Sequence, residues 1–175
     1  KARSLESRDI EIFIGKSYTG ATKKETTEVD VSIEAPGVLV FIEAKLYSSV
    51  SAASPPEKPC DQIAKKLRVG LDSPTDEKRE FYFVFLDIAP VEKMFEKREK
   101  TEAVGAHGGG YKDKWRSAWL FNYYKHGRNN SLRPLQEALA EIDHPPVDLV
   151  ASRMGWLTWG DLFKCTLRAV LGTRS

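Results

Sequence analysis

EVDVSIEAPGVLVFIEAK (Glu28–Lys45) is the stretch that decides the architecture. From Glu28 to Ile33 polar and apolar residues alternate, the period of a half-buried strand. Ala35-Pro36-Gly37 interrupts it with turn chemistry. Val38 to Leu46 is then apolar almost to its end, as expected of a central strand covered on both faces. Two strands around so short a turn predict an antiparallel hairpin. If Pro36 and Gly37 alone form the turn, position 35 pairs with 38, and counting onward 30 pairs with 43 and 28 with 45. A four-residue turn leaves Asp30 diagonal to Glu43 on the same face. A three-residue turn puts them on opposite faces. Pro-Gly favours a type II turn over the primed hairpin types, so the register stays open at this point.

Working outward, Ile10 to Ile14 is a short β-rich run and Glu80 to Ile88 a strong apolar strand. Ser48 to Pro59, rich in Ser, Ala and Pro, reads as a loop. Asp61 to Leu71 carries Ile63, Leu67 and Leu71 at helical spacing, with Asp61 as its cap. Val91 to Glu102 predicts an exposed helix, and Ala106 to Lys114, with Gly108-Gly109-Gly110, a flexible loop. Trp115 to Tyr124 fits a helix or an irregular aromatic segment. Leu132 to Ile142 predicts a helix, Leu149 to Leu157 a strand, and Trp159 to Leu171 a terminal helix. No linker or repeat divides residues 1–175, so one α/β domain is expected, a mixed central sheet flanked by helices.

Composition narrows the class. With 175 residues, 41% hydrophobic and 30% charged, the chain can bury a core and is neither disordered nor membrane-bound in character. Lys and Arg exceed Asp and Glu by 27 to 25, a balance that neither demands nor excludes nucleic acid. Cys60 and Cys165 lack zinc spacing and read as free thiols of a reducing compartment. No apolar run approaches the roughly 20 residues of a membrane span, and no leader pattern opens the sequence. A cytoplasmic protein is expected.

Glu43-Ala44-Lys45 is the only Glu-x-Lys in the chain. Strand periodicity sends Glu43 and Lys45 to one face and Ala44 to the other. Asp30 and Glu43, if directly opposed, have Cβ atoms about 4.5–5.5 Å apart. Two carboxylates so close repel unless a cation lies between them. A hard divalent ion such as Mg²⁺ takes such carboxylates together with water and substrate phosphate. It polarises the phosphoryl oxygen and acidifies a bound water, work that an adjacent ammonium such as Lys45 assists.

An acid in one strand, a hairpin, then Glu-x-Lys in the next strand followed by a helix resembles the PD-(D/E)xK nuclease superfamily. The resemblance spans about Glu28 to Leu71. It implies a restriction-endonuclease-like α/β sandwich and Mg²⁺-dependent hydrolysis of nucleic-acid phosphodiesters, DNA before RNA, with Mn²⁺ as a substitute ion. It also implies that Asp30, Glu43 and the Ala44 carbonyl hold the metal, that Lys45 assists the attacking water, and that Gln62 on the following helix faces the site. The position four after Gln62, aromatic in some relatives, is Lys66. Val29 stands where the family name has proline, and Glu6 is the match for an acid on a preceding helix. A homodimer is compatible with this reading. The alternative is a non-catalytic module of the same fold that binds nucleic acid or a protein.

Other signals are weaker. Gly15-Lys16-Ser17 lacks the earlier glycine of a phosphate-binding loop, since position 10 is Ile. His107-Gly108-Gly109-Gly110 has no Gly-x-Ser-x-Gly partner and reads as a loop that closes over substrate. His107, His126 and His144 show no metal spacing. Lys65, Lys66, Arg68, Lys112, Lys114, Arg116, Lys125 and Arg128, interleaved with Tyr111 and Trp115, would form either a phosphate-tracking surface or a solvated face. Trp156 and Trp159 are expected in the core.

Overall fold

Hairpin chemistry and helical spacing place the elements largely where the residues ask for them. The computed structural model describes residues 9–46, 50–51, 60–73, 79–90, 114–129 and 131–172. Strands β1 (Glu11–Thr19), β2 (Thr26–Ala35) and β3 (Val38–Ala44) lead into helix α1 (Gln62–Leu71) and strand β4 (Glu80–Asp87). Helices α2 (Lys114–Lys125), α3 (Arg133–Ala138) and α4 (Val147–Ser152) precede strand β5 (Met154–Thr158) and helix α5 (Trp159–Gly172). The result is an α/β protein with a five-stranded mixed sheet in the order β1-β2-β3-β4-β5. β1, β2 and β3 are antiparallel neighbours, whereas β3, β4 and β5 run parallel.

The β2–β3 turn takes the tightest register: Ala35 pairs with Val38 and Val31 with Ile42. Gly37 sits at φ 76°, the left-handed conformation a type II turn asks of its third residue. The β2–β3 ladder ends at Val31↔Ile42, one step short of the expected 30↔43 pair. At that level β1 carries Gly15 at φ 66°, between the pairs Ile14↔Val31 and Lys16↔Val29. The glycine lets the ribbon kink, and the inward set of β2 shifts from Thr27 and Val29 to Ser32 and Glu34, opposite Phe41 and Leu39 of β3. Asp30 occupies the shift.

One face of the sheet forms the core. Leu39, Phe41, Phe81, Phe83 and Phe85 meet Ile63 and Leu67 of α1, Phe121 of α2, Leu135 of α3 and Val150 of α4. α1 lies so close that a Cβ on Gly70 would stand 2.1 Å from the Phe81 ring. The alternate residues Val38, Val40 and Ile42 are only half-buried, and Ile14 on the edge strand is 86% exposed. β3 is therefore buried on one face among the described residues, not on both as its apolar run suggests. A continuous apolar strand reports high β-propensity as readily as two-sided burial.

Other expectations shift. Residues 149–152 are helical and only Met154–Thr158 is strand, because Val147, Val150 and Ala151 follow Pro146 at helical spacing. The helix expected to reach Ile142 ends at Ala138, where Arg68 takes the carbonyls of Ala138 and Ala140 at 2.8 and 2.9 Å. The ambiguous aromatic segment is a helix. Trp156 stacks on Phe85 at 4.6 Å, but Trp159 is 40% exposed and is not a core residue. Both cysteines are free thiols, and burial, followed by the Glu25 charge, pushes the Cys60 thiol up. No described helix is long and apolar enough to cross a membrane. Residues 91–102, Gly108–Gly110, His107, Tyr111, Lys112 and Glu6 lie outside the described residues.

Candidate active site

The candidate site lies where β2 and β3 part. Beyond Val31↔Ile42 the Ala44 N–H finds no main-chain partner in β2, and the Asp30 carboxylate takes it at 2.8 Å. The N–H and C=O of a strand residue leave on the same edge, so the Ala44 carbonyl also points to this opening. On the other edge Lys45 N–H donates to Leu86 O at 2.8 Å, keeping β3 joined to β4. Asp30 is thus a side-chain substitute for a lost ladder bond. Among the described residues, no hydrogen bond or ion pair engages its second oxygen.

Glu43 follows Leu39 and Phe41 on the inward face and is 0% exposed. A buried carboxylate needs partners, and three side chains supply them. Lys45 Nζ lies 2.5 Å from Oε1 and is itself 12% exposed. Gln62 donates its amide N–H to the same oxygen at 2.7 Å. Lys66 Nζ lies 2.6 Å from Oε2 and is 1% exposed. It also donates to the Glu28 carbonyl at 2.5 Å. The Gln62 carbonyl oxygen accepts from Ser51 N–H at 3.3 Å, so the two ends of the amide are told apart by their partners.

α1 is held in register by its first residue. Asp61 accepts from the N–H groups of Ile63 and Ala64 at 2.9 and 3.0 Å, as an N-cap should. Its other oxygen accepts the Tyr124 hydroxyl at 2.5 Å, tying α1 to α2. Burial, then the Asp61 charge, raises the Tyr124 hydroxyl far above the ordinary tyrosine value, so it stays a donor. With the helix fixed, Gln62 and Lys66 face the sheet one turn apart. On the far side, the Trp159 indole donates to the Lys45 carbonyl at 3.2 Å, anchoring α5 to the end of β3.

Asp30, Glu43, Lys45 and Gln62 are therefore brought together, with Ala44 between them. The sequence reading missed Lys66, which it counted among surface cations. The available signal was its spacing: four residues after Gln62 and between Ile63 and Leu67 on the inward face. Arg68 also leaves the proposed phosphate-tracking surface, because it is clasped by Glu25 at 2.8 Å and by the carbonyls of Ala138 and Ala140. Lys125 likewise turns inward, donating to Ala151 O at 3.3 Å and to Met154 O.

No group of three His, Cys, Asp or Glu side chains that could hold a metal occurs among the described residues. A Mg²⁺ ion needs fewer, since it keeps waters and takes one or two carboxylates. The Asp30 carboxylate, Glu43 Oε1 and the Ala44 carbonyl are hard oxygen donors on residues that adjoin where β2 and β3 part. They are the donor types such an ion takes, and in this structure Lys45 and Gln62 occupy Oε1. A cavity of about 720 Å³ lies at the opposite end of the parallel strands, lined by Leu39, Phe81, Arg79 and Arg153 among others, away from this chemistry. No protein-family model, curated protein or solved structure matches this chain.

Proposed function

We propose that this protein is a divalent-metal-dependent nuclease of restriction-endonuclease-like architecture, cleaving phosphodiester bonds in DNA. The observation that carries the reading is Glu43, fully buried yet ringed by Lys45, Gln62 and Lys66 at the point where Asp30 and the Ala44 backbone meet. Burying such a cluster costs desolvation that apolar residues of similar volume avoid. A buried polar cluster that breaks the apolar pattern of a core is the kind of local exception that functional sites show. The mixed five-stranded sheet and the β2–β3–α1 succession are compatible with such an architecture.

Asp30, Glu43 and the Ala44 carbonyl would hold Mg²⁺, with Mn²⁺ as a substitute. Bound there, the ion would polarise a phosphoryl oxygen and acidify a water. Gln62 keeps Glu43 Oε1 aimed at the opening. Lys45, at the strand end and partly exposed, orients the attacking water and offsets the negative charge that develops on the phosphate.

A second reading is a non-catalytic binding module of the same fold. It is favoured by the saturation of Glu43, both of whose oxygens already face ammonium groups. The two readings separate in one experiment: turnover of single- and double-stranded DNA with Mg²⁺ or Mn²⁺, in wild type, Lys45→Ala and Asp30→Asn. Lys45→Ala is expected to lose on the order of a hundredfold or more in rate. Its DNA affinity should change modestly, with the salt slope falling by about one unit. Asp30→Asn should recover part of its activity at raised Mn²⁺. Metal-independent activity, equal in wild type and Lys45→Ala, would show that this site is not catalytic.

A further inference from the structure

We infer that Lys66 is a positioning residue of the proposed site, a resident positive charge that sets both the orientation of Glu43 and the strength of metal binding. The inference rests on the metal-dependent reading of that site. Its ground is geometric. Lys66 is 1% exposed, and its ammonium sits between the Glu28 carbonyl and Glu43 Oε2. Gln62, one turn earlier on the same helix, holds Oε1. Helix α1 therefore grips both oxygens of one carboxylate, which fixes its plane.

The charges add a second consequence. Asp30 and Glu43 carry two negative charges, and Lys45 and Lys66 carry two positive ones. Lys45 stands at the strand end and is 12% exposed against 1% for Lys66, so it is the one that yields Oε1 to an entering ion. Lys66 is enclosed and cannot follow. A divalent ion entering the opening thus meets two carboxylates and one permanent ammonium, so its affinity is held down. Glu43 offers it Oε1 alone, because Oε2 stays with Lys66. Weak, single-oxygen binding lets the metal arrive with substrate phosphate instead of sitting permanently on the protein.

Lys66→Met keeps the length of the side chain and removes its charge. The expected result is opposite signs in two readouts. Mn²⁺ affinity, measured on the protein alone by electron paramagnetic resonance of free Mn²⁺, should rise by about tenfold or more, since a repelling charge is lost. DNA turnover at saturating Mn²⁺ should fall by about tenfold to a hundredfold, since Glu43 loses its fixed plane. A purely structural lysine would not tighten the metal. Lys66→Gln, neutral but still able to donate to Glu43, is the second variant, and it carries the same comparison if Lys66→Met folds poorly by circular dichroism. It should also tighten Mn²⁺ while retaining more turnover. Equal Mn²⁺ affinity in wild type and in the folded variants would overturn the role of Lys66 and leave the nuclease reading standing. No Mn²⁺ binding by any of the three would overturn both.

Discussion

Replacing Asp61 by alanine removes three hydrogen bonds from one buried carboxylate. Two come from the N–H groups of Ile63 and Ala64 at the start of α1, and the third from the Tyr124 hydroxyl of α2. Loss of an N-cap acid costs about 1–2 kcal/mol. The Tyr124 hydroxyl, in a residue 7% exposed, is left without its acceptor, which adds about 1–3 kcal/mol. The combined cost is about 2–4 kcal/mol after allowance for partial relaxation. For a chain of this size that corresponds to a fall in thermal midpoint of about 5–15 °C. Differential scanning calorimetry reads the midpoint directly. Asp61→Ser separates the two contributions, since serine caps the helix but is too short to reach Tyr124, and should recover about half of the loss. Tyr124→Phe together with Asp61→Ala should fall short of the sum of the single effects, because the pair shares one bond. A shift below about 2 °C for Asp61→Ala, or strict additivity in the cycle, would refute the account of α1 as a helix pinned by Asp61.

Two further perturbations test the frame around the site. Gly70→Ala should destabilise the protein by about 1–3 kcal/mol despite the better helix propensity of alanine, because the new Cβ would stand 2.1 Å from the Phe81 ring; a raised unfolding midpoint would contradict that packing. Acid should weaken the β1–β2 edge through Glu34. Burial alone would raise this carboxyl, but bonds from Lys16, Tyr18 and Arg79 outweigh it and hold the group below the ordinary carboxylate range. A depressed folded-state value means the stabilisation is present above the ordinary carboxyl range and is lost as the pH falls through the folded-state value. Urea titrations across that range should show a shallower pH dependence in Glu34→Gln than in wild type, and identical slopes would count against the network.

The hairpin was legible because its determinants are local. Pro36-Gly37 set the turn, alternation set β2, and the register from Ala35↔Val38 to Val31↔Ile42 follows by counting. The Asp61 cap and the Ile63–Leu67 spacing placed α1 for the same reason. Asp30 departed from expectation because its position depends on a neighbour in another strand: Gly15, left-handed at the level where β2 leaves β3. Lys66 and Arg68 were read as surface charges because charge normally means solvent. Their burial follows from how α1 is rotated against the sheet, and each found carboxylate and carbonyl partners far away in sequence. The one-sided burial of β3 was equally hidden, since valine and isoleucine suit both a covered and an open face.

Every side chain of the candidate site comes from one continuous run of chain, from β2 to the second turn of α1. β5, by contrast, pairs with β4 across the whole length of chain that separates Asp87 from Met154. The entropy of closing a loop grows with its length, and pairings between distant segments are the slow ones. The contacts that gather Asp30, Glu43, Lys45, Gln62 and Lys66 are therefore the entropically cheap ones to form. The far parallel strand is the expensive addition, and it joins a site already spelled out within a single short reach of polypeptide.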